Sequence, residues 1–103
     1  MSPHRIVGKW YYGLGSGQYI RYEFTVGGAY RYSNPARMMT GTYVVQEDQL
    51  TLTPEGEAAE SYAFRFECIG TGSFSEYLTL TSTSTGLESP FTRDPTDPGR
   101  RCP

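Results

Sequence analysis

The sequence holds few of the side chains on which metal binding and enzyme chemistry usually depend. Among its 103 residues there is one histidine, His4, and there are two cysteines, Cys68 and Cys102. Two cysteines so far apart are too few for a zinc site, and the histidine lies in the N-terminal arm, ahead of most of the chain. We therefore predict no catalytic residue, no metal and no cofactor. Whether the protein is an enzyme stays open.

Acidic residues are also missing from the positions where acid–base chemistry would need them. General acid–base catalysis requires a titratable group within hydrogen-bond reach of the substrate. The acids on the predicted strands, among them Glu23, Glu67 and Glu76, are interpreted as charges of the solvated face or of turns. Tyrosines are then the only titratable groups expected inside, and their unperturbed pKa is about 10.

Positive charge and long apolar runs are scarce as well. Nine basic residues face eleven acids, for a net charge of −2. Nucleic acids and anionic membranes both require clustered positive charge, and no segment approaches the roughly 20 apolar residues of a membrane span. The N-terminus leads into the first predicted strand with no apolar signal region. We therefore expect a cytoplasmic protein that binds neither nucleic acid nor a membrane, and a homodimer is compatible with the sequence.

Tyrosine, glycine and proline are abundant. Nine tyrosines are accompanied by twelve glycines and seven prolines, which interrupt the chain at short intervals and favour strands and turns over helices. Between these breaks, apolar and polar residues alternate with a period of two, as expected of strands with one buried face. The pattern predicts eight strands, over residues 5–12, 18–25, 29–33, 40–46, 49–53, 62–68, 76–81 and 88–93.

Eight short strands without a helix favour a closed sheet. An open sheet would leave its apolar face exposed to water and the backbone groups of its two edge strands unpaired. Closure of the sheet into a barrel buries that face and pairs both edges. We predict an all-β, eight-stranded antiparallel up-and-down barrel over residues 1–94, followed by an extended tail over residues 95–103. The only tryptophan, Trp10, is expected to fill the floor. Four loops are then expected at the mouth: 13–18, 33–40, 54–60 and 81–87.

The first and last strands carry a family resemblance. With Gly8-Lys9-Trp10 on the first strand and Phe91-Thr92-Arg93 at the end of the last, the sequence resembles the lipocalin-like (calycin) barrels. Residues 24–30, 41–43 and 50–53 also resemble the short bacterial lipocalin-like domains. The resemblance implies structural roles for Gly8, Trp10 and Arg93, with the basic side chain packed across the indole. It also implies a barrel that holds a small ligand.

Inward positions near the mouth supply the candidate ligand site. The lower layer, around Trp10, Phe24 and Phe66, is expected to be a packed core. Higher up, several phenol hydroxyls would share one small volume, where each needs a hydrogen-bond partner or costs free energy. They would pair with each other, reach water or face a ligand, and an apolar pocket with converging hydroxyls is typical of a small-molecule site. The candidate residues of this calyx are Tyr12, Tyr22, Tyr30, Tyr32, Tyr43 and Tyr62, with Met38 and Met39 as an apolar lip.

Three functions compete on this basis. The first is binding of a small apolar or aromatic molecule in the calyx. The second is a cofactor-free cyclase of natural-product biosynthesis, which would act by positioning a flexible substrate in the same cavity. The third is a protein-interaction or protease-inhibitor barrel that presents the surface loop 69–73.

The two cysteines leave a separate alternative open. Strand direction places Cys68 and Cys102 at the floor end of the predicted barrel. They form either one disulfide, which would stabilise the fold by about 3 to 4 kcal/mol on the loop-entropy model, or two free thiols.

Overall fold

The protein is a closed ring of eight antiparallel strands, each hydrogen-bonded to the next and the last to the first. The computed structural model describes residues 4–70 and 75–94. These residues contain no helix, and therefore none long and apolar enough to cross a membrane. The predicted all-β, eight-stranded architecture is confirmed. The strands are β1 (Gly8–Gly15), β2 (Gln18–Phe24), β3 (Ala29–Ser33), β4 (Met38–Gln46), β5 (Gln49–Pro54), β6 (Glu60–Ile69), β7 (Ser75–Ser82) and β8 (Glu88–Arg93).

Strand β1 begins three residues later than predicted. The preceding segment, residues 4–7, is a turn in which Val7 N donates to His4 O at 3.0 Å and Ile6 N donates to His4 Nδ1 at 3.0 Å. Gly8 then enters the strand with φ +136°, a conformation that side chains other than glycine's disfavour. The predicted tail, residues 95–103, lies outside the described residues, as do residues 1–3 and 71–74.

Strand β4 begins two residues earlier than predicted. The side chain of Asn34 closes a tight turn, since its Oδ1 accepts from the backbone N–H groups of Ala36 and Arg37 at 2.8 and 2.9 Å. The turn therefore ends at Arg37, and Met38 pairs directly with Ser33 of β3. The sequence alone indicated a longer loop. An Asx turn shortens the connection through a side-chain hydrogen bond, and such a bond leaves no apolar pattern in the sequence.

The alternating side chains converge on a continuous core. Trp10 is fully buried at the floor, where its Nε1 donates to Ile6 O at 2.9 Å and its ring lies 5.9 Å from that of Phe66. Residues 4–7 thus close the floor end of the barrel beneath the indole. The buried apolar residues are Ile6, Trp10, Tyr22, Phe24, Tyr30, Leu50, Leu52, Leu78, Leu80 and Phe91.

The floor also contains a buried acid, which corrects the interpretation of Glu76 as a solvated charge. Glu76 is 1 % exposed, and its carboxylate accepts from Arg5 Nε at 2.6 Å and from Arg93 Nε at 2.9 Å. A buried carboxylate is tolerated when it is paired with opposite charge and hydrogen-bonded. The guanidinium of Arg93 in turn lies 4.2 Å from the centroid of the Trp10 ring.

Candidate functional site

An open cavity of about 690 Å³ lies at the mouth of the barrel, above the packed core. Strands β2 to β6 form its walls, and the turn at residues 34–37 and the connection at residues 55–59 form its rim. We call this cavity the cup. Its lining residues are Tyr22, Tyr30, Tyr32, Asn34, Arg37, Met39, Leu52, Pro54, Glu57, Ala58, Ala59, Glu60 and Tyr62.

Tyr22 packs among other aromatic rings on the wall of the cup. Its ring stacks on Phe24 at 5.5 Å and 12°, meets Phe91 edge-on at 5.2 Å and lies 5.1 Å from Tyr32. It is 9 % exposed. Because these rings surround it, Tyr22 occupies the middle of the barrel and separates the cup from the layer around Trp10.

Gly41 allows Tyr30 to lie flat against the wall. The two residues are paired across β3 and β4. A Cβ atom at Gly41 would lie 2.8 Å from Tyr30 Cε1 and 2.9 Å from Pro54 Cα, and it would overlap Thr53 O. Only glycine therefore leaves room for the ring and for the close approach of β5.

Two of the four phenol hydroxyls of the cup are paired within the protein. Tyr62 donates to Glu60 Oε2 at 2.6 Å, and Tyr32 accepts from Asn34 Nδ2 at 3.0 Å. Within residues 4–70 and 75–94, the hydroxyls of Tyr22 and Tyr30 make no hydrogen bond to protein. The cup therefore presents two phenols without a hydrogen-bond partner among the described residues, and both residues are largely buried, with Tyr22 9 % and Tyr30 3 % exposed.

Burial and negative charge act together on these phenols. Burial is the main cause that raises the pKa of Tyr22, Tyr30 and Tyr62 above the ordinary tyrosine value. The Glu60 carboxylate raises each pKa further, through its hydrogen bond to Tyr62 and through its charge at all three. The hydroxyls are therefore protonated and neutral at physiological pH.

The rim carries three ionisable side chains. Arg37 Nη2 lies 3.5 Å from Glu57 Oε2, and the same guanidinium reaches Met39 Sδ. Glu60, by contrast, forms no ion pair with any residue in the described part of the chain, and its hydrogen bond goes to the neutral hydroxyl of Tyr62. Within residues 4–70 and 75–94, Glu60 is thus an exposed carboxylate of the cup with no paired cation.

Five of the eight predicted calyx residues line the cup, namely Tyr22, Tyr30, Tyr32, Tyr62 and Met39. The other three lie elsewhere. Tyr43 points toward the floor, where its hydroxyl donates to Thr25 O at 2.5 Å and its ring meets Phe24 edge-on at 5.0 Å. Tyr12 packs on Phe91 at 5.7 Å, and Met38 lies on the outer face of β4 with 65 % of its surface exposed.

The polar residues of the rim were not predicted as site residues. Two connections that the strand order placed at the mouth contain these residues, which are Asn34, Arg37, Glu57 and Glu60. Their position at the mouth was the signal that could have identified them. They were interpreted only as loop residues because no apolar periodicity marks which loop side chains turn inward. Leu52, which is 4 % exposed, adds apolar surface to the wall.

Two further predictions fall partly outside the described residues. Cys68 is disulfide-bonded, and the only other cysteine of the sequence, Cys102, lies outside the described ranges. Of the loop 69–73 assigned to the inhibitor hypothesis, only Ile69 and Gly70 are described, with Ile69 54 % exposed. In the described part of the chain, no three His, Cys, Asp or Glu side chains are grouped so that they could hold a metal ion.

Comparisons with protein-family models, with curated proteins and with solved structures gave no match for this chain.

Proposed function

We propose that the protein binds a small apolar or aromatic molecule in the cup. The observation that carries the proposal is Tyr22, a side chain that is about nine-tenths buried yet has a hydroxyl without a protein partner among the described residues, on the wall of a cavity open to solvent. The hydroxyl is not cut off from solvent, since Arg21 Nε is the only side-chain N or O atom in the described part of the chain that is buried without a partner, so the Tyr22 hydroxyl opens into the cup and is available to a ligand. A ligand that fills the cup and offers a polar group would hydrogen-bond this hydroxyl in place of solvent.

The lining of the cup agrees with this function. Four aromatic rings, Leu52 and Met39 supply apolar surface, and the phenol hydroxyls, together with Asn34, supply a few polar groups that could orient a ligand. Concave, largely preformed sites of this kind are typical of small-molecule binding. The rings are fixed by strands and by contacts with each other, so little conformational entropy would be lost on binding.

The proposal includes membership of the lipocalin-like (calycin) barrels. The support is the position of Arg93 over Trp10 at the end opposite the cup, with Gly8 at the entry to β1. The cup lies at the other end of the same closed sheet, where an eight-stranded barrel has room for one small ligand. Its opening to solvent favours reversible binding over the enclosed substrate that the cyclase hypothesis requires.

Site-resolved NMR titration tests this function. The methyl groups of Leu52 and Met39 line the cup, whereas those of Val26 and Val44 lie on the outside, 75 % and 63 % exposed. We expect neutral probes such as 4-phenylbutanol and 1-decanol to shift the first pair and leave the second pair unchanged. Shifts confined to Val26 and Val44, or no saturable shift with any neutral or charged probe, would refute binding in the cup.

A further inference from the structure

We propose that the preferred ligand of the cup is a cation: a protonated or quaternary amine joined to an apolar or aromatic body. This inference rests on the proposed function and adds the charge of the ligand to it. It follows from three features of the cup, namely its phenol rings, the unneutralised carboxylate of Glu60 and the unpaired hydroxyl of Tyr22.

The phenol rings form a partial aromatic cage. The Tyr22 ring lies 5.1 Å from that of Tyr32 and 6.2 Å from that of Tyr30, at angles of 57° and 45°, and Tyr62 lines the same cavity. Rings inclined to one another present several faces to a common volume. A cation over such faces is attracted by the ring quadrupoles, and the attraction grows when the site is desolvated.

The formal charge of the cup also favours a cation. Arg37 and Glu57 lie 3.5 Å apart and largely neutralise each other. The carboxylate of Glu60 adds a negative charge that no cation among the described residues offsets, and it sits beside Tyr62 on the wall. A protonated amine would supply a countercharge to Glu60. An anion would be repelled by Glu60, and the guanidinium of Arg37, which could attract it, is already paired with Glu57.

Tyr22 adds a hydrogen-bond acceptor to the wall of the cup. Its phenol oxygen has a free lone pair for an ammonium N–H, and the raised pKa of Tyr22 keeps the hydroxyl neutral at physiological pH. Burial is the main cause of the raised pKa of Tyr22, Tyr30 and Tyr62, and the charge of Glu60 adds to the rise at all three. The same charge would stabilise a positive group held among the three rings.

A matched series of probes tests the charge separately from binding itself. 4-Phenylbutylammonium, 4-phenylbutanol and 4-phenylbutyrate share one skeleton and differ only in the end group. By calorimetry, with NMR shifts of Leu52 and Met39 to locate the site, we expect the ammonium to bind about tenfold more tightly than the alcohol and the carboxylate most weakly. Equal affinities, or tighter binding of the alcohol or the carboxylate, would overturn the charge inference and leave the binding function in place.

Glu60→Gln separates the role of charge from that of shape. Glutamine still offers an oxygen to the Tyr62 hydroxyl, so the wall is preserved. We expect this variant to lose about five- to tenfold in affinity for the ammonium and to change the affinity for the alcohol less than about twofold. Glu88→Gln is the control, because Glu88 is an exposed outer carboxylate paired with Arg65, and it should change neither affinity.

The outcomes distinguish the two proposals. An equal loss for ammonium and alcohol in Glu60→Gln would mean that Glu60 acts on the shape of the cup, and the charge inference would fail. Failure of every member of the series to bind at the Leu52 and Met39 methyl groups would remove the proposed function and the charge inference together. Selective loss of ammonium affinity supports both.

Discussion

The carboxylate of Glu76 and the guanidinium of Arg93 form an ion pair at 2.9 Å in which both side chains are almost completely buried, at 0 % and 1 % exposure. Arg93 places its other face on the Trp10 indole and donates to the backbone oxygens of Val7 and Arg5. Glu76 therefore fixes the side chain that joins β8 to the first strand and to the turn before it. The floor of the barrel depends on this pair.

Glu76→Gln should lower the free energy of unfolding by about 3 kcal/mol. Glutamine keeps the volume but leaves the Arg93 charge buried without compensation, and loss of one partner of a buried pair is strongly destabilising. Urea unfolding measures the change. Glu67→Gln is a suitable control, since Glu67 pairs with Arg65 at the surface with 40 % of its side chain exposed, and we expect a loss below about 1 kcal/mol there. Equal losses in the two variants would show that burial of the Glu76 pair is unimportant.

Gly41→Ala should destabilise the protein by about 2 kcal/mol and deform the cup. The new Cβ would overlap Thr53 O and lie 2.8 Å from Tyr30 Cε1, and overpacking against backbone cannot relax cheaply. Thermal unfolding and the aromatic NMR signals of Tyr30 report the two effects. Gly13→Ala provides the comparison, because a Cβ atom at Gly13 would have no neighbouring atom within 4 Å, and this variant should shift stability by less than about 0.5 kcal/mol. A tolerant Gly41→Ala would mean that β5 does not approach β4 as closely as described.

The alternation of apolar and polar residues with a period of two was sufficient to predict the closed sheet. It could not predict how far along the barrel axis, between floor and mouth, each inward side chain lies. Tyr43 and Tyr62 both point inward, yet Tyr43 pairs with Leu52 and reaches the floor, whereas Tyr62 pairs with Leu50 and reaches the cup. That difference comes from the stagger between strands, which the alternation of one strand does not encode.

Long-range charge pairing was also beyond the sequence. Glu76 occupies an inward position that would ordinarily exclude an acid, and its partners, Arg5 and Arg93, lie 71 and 17 residues away along the chain. No local pattern links the three residues. The family resemblance indicated that Arg93 would cover the indole of Trp10, but it named no acid to hold that arginine in place.

Stability should fall steeply above pH about 10. Burial raises the pKa of Tyr22 and Tyr62 in the folded state above the unfolded value of about 10. Their contribution is complete below that value and is lost as the pH rises from it toward the folded pKa, because only the unfolded chain then releases the protons. Tyrosinate absorbance and circular dichroism should therefore change together for these residues. Reversible ionisation of all nine tyrosines in a chain that keeps its folded spectrum would contradict this expectation.

Two tyrosine variants should separate stability from binding: Tyr43→Phe should lower stability and leave binding unchanged, and Tyr22→Phe should weaken binding without lowering stability. Tyr43→Phe removes a hydroxyl that donates to Thr25 O at 2.5 Å near the floor, so it should cost about 1 kcal/mol of stability and leave probe affinity unchanged. Tyr22→Phe removes a hydroxyl without a described partner, so stability should hold or rise slightly. Its affinity for 4-phenylbutylammonium should fall about three- to tenfold, because the hydrogen-bond acceptor that Tyr22 offers to the cup is lost.

Denaturation and calorimetry on the same two proteins measure this reversal, and each variant serves as the control for the other. A loss of binding in Tyr43→Phe would place the ligand at the floor end, against the geometry of the cup. A large loss of stability in Tyr22→Phe would show that its hydroxyl is already satisfied inside the protein. In that case the buried phenol would no longer point to a ligand, because its hydrogen bond would already be made.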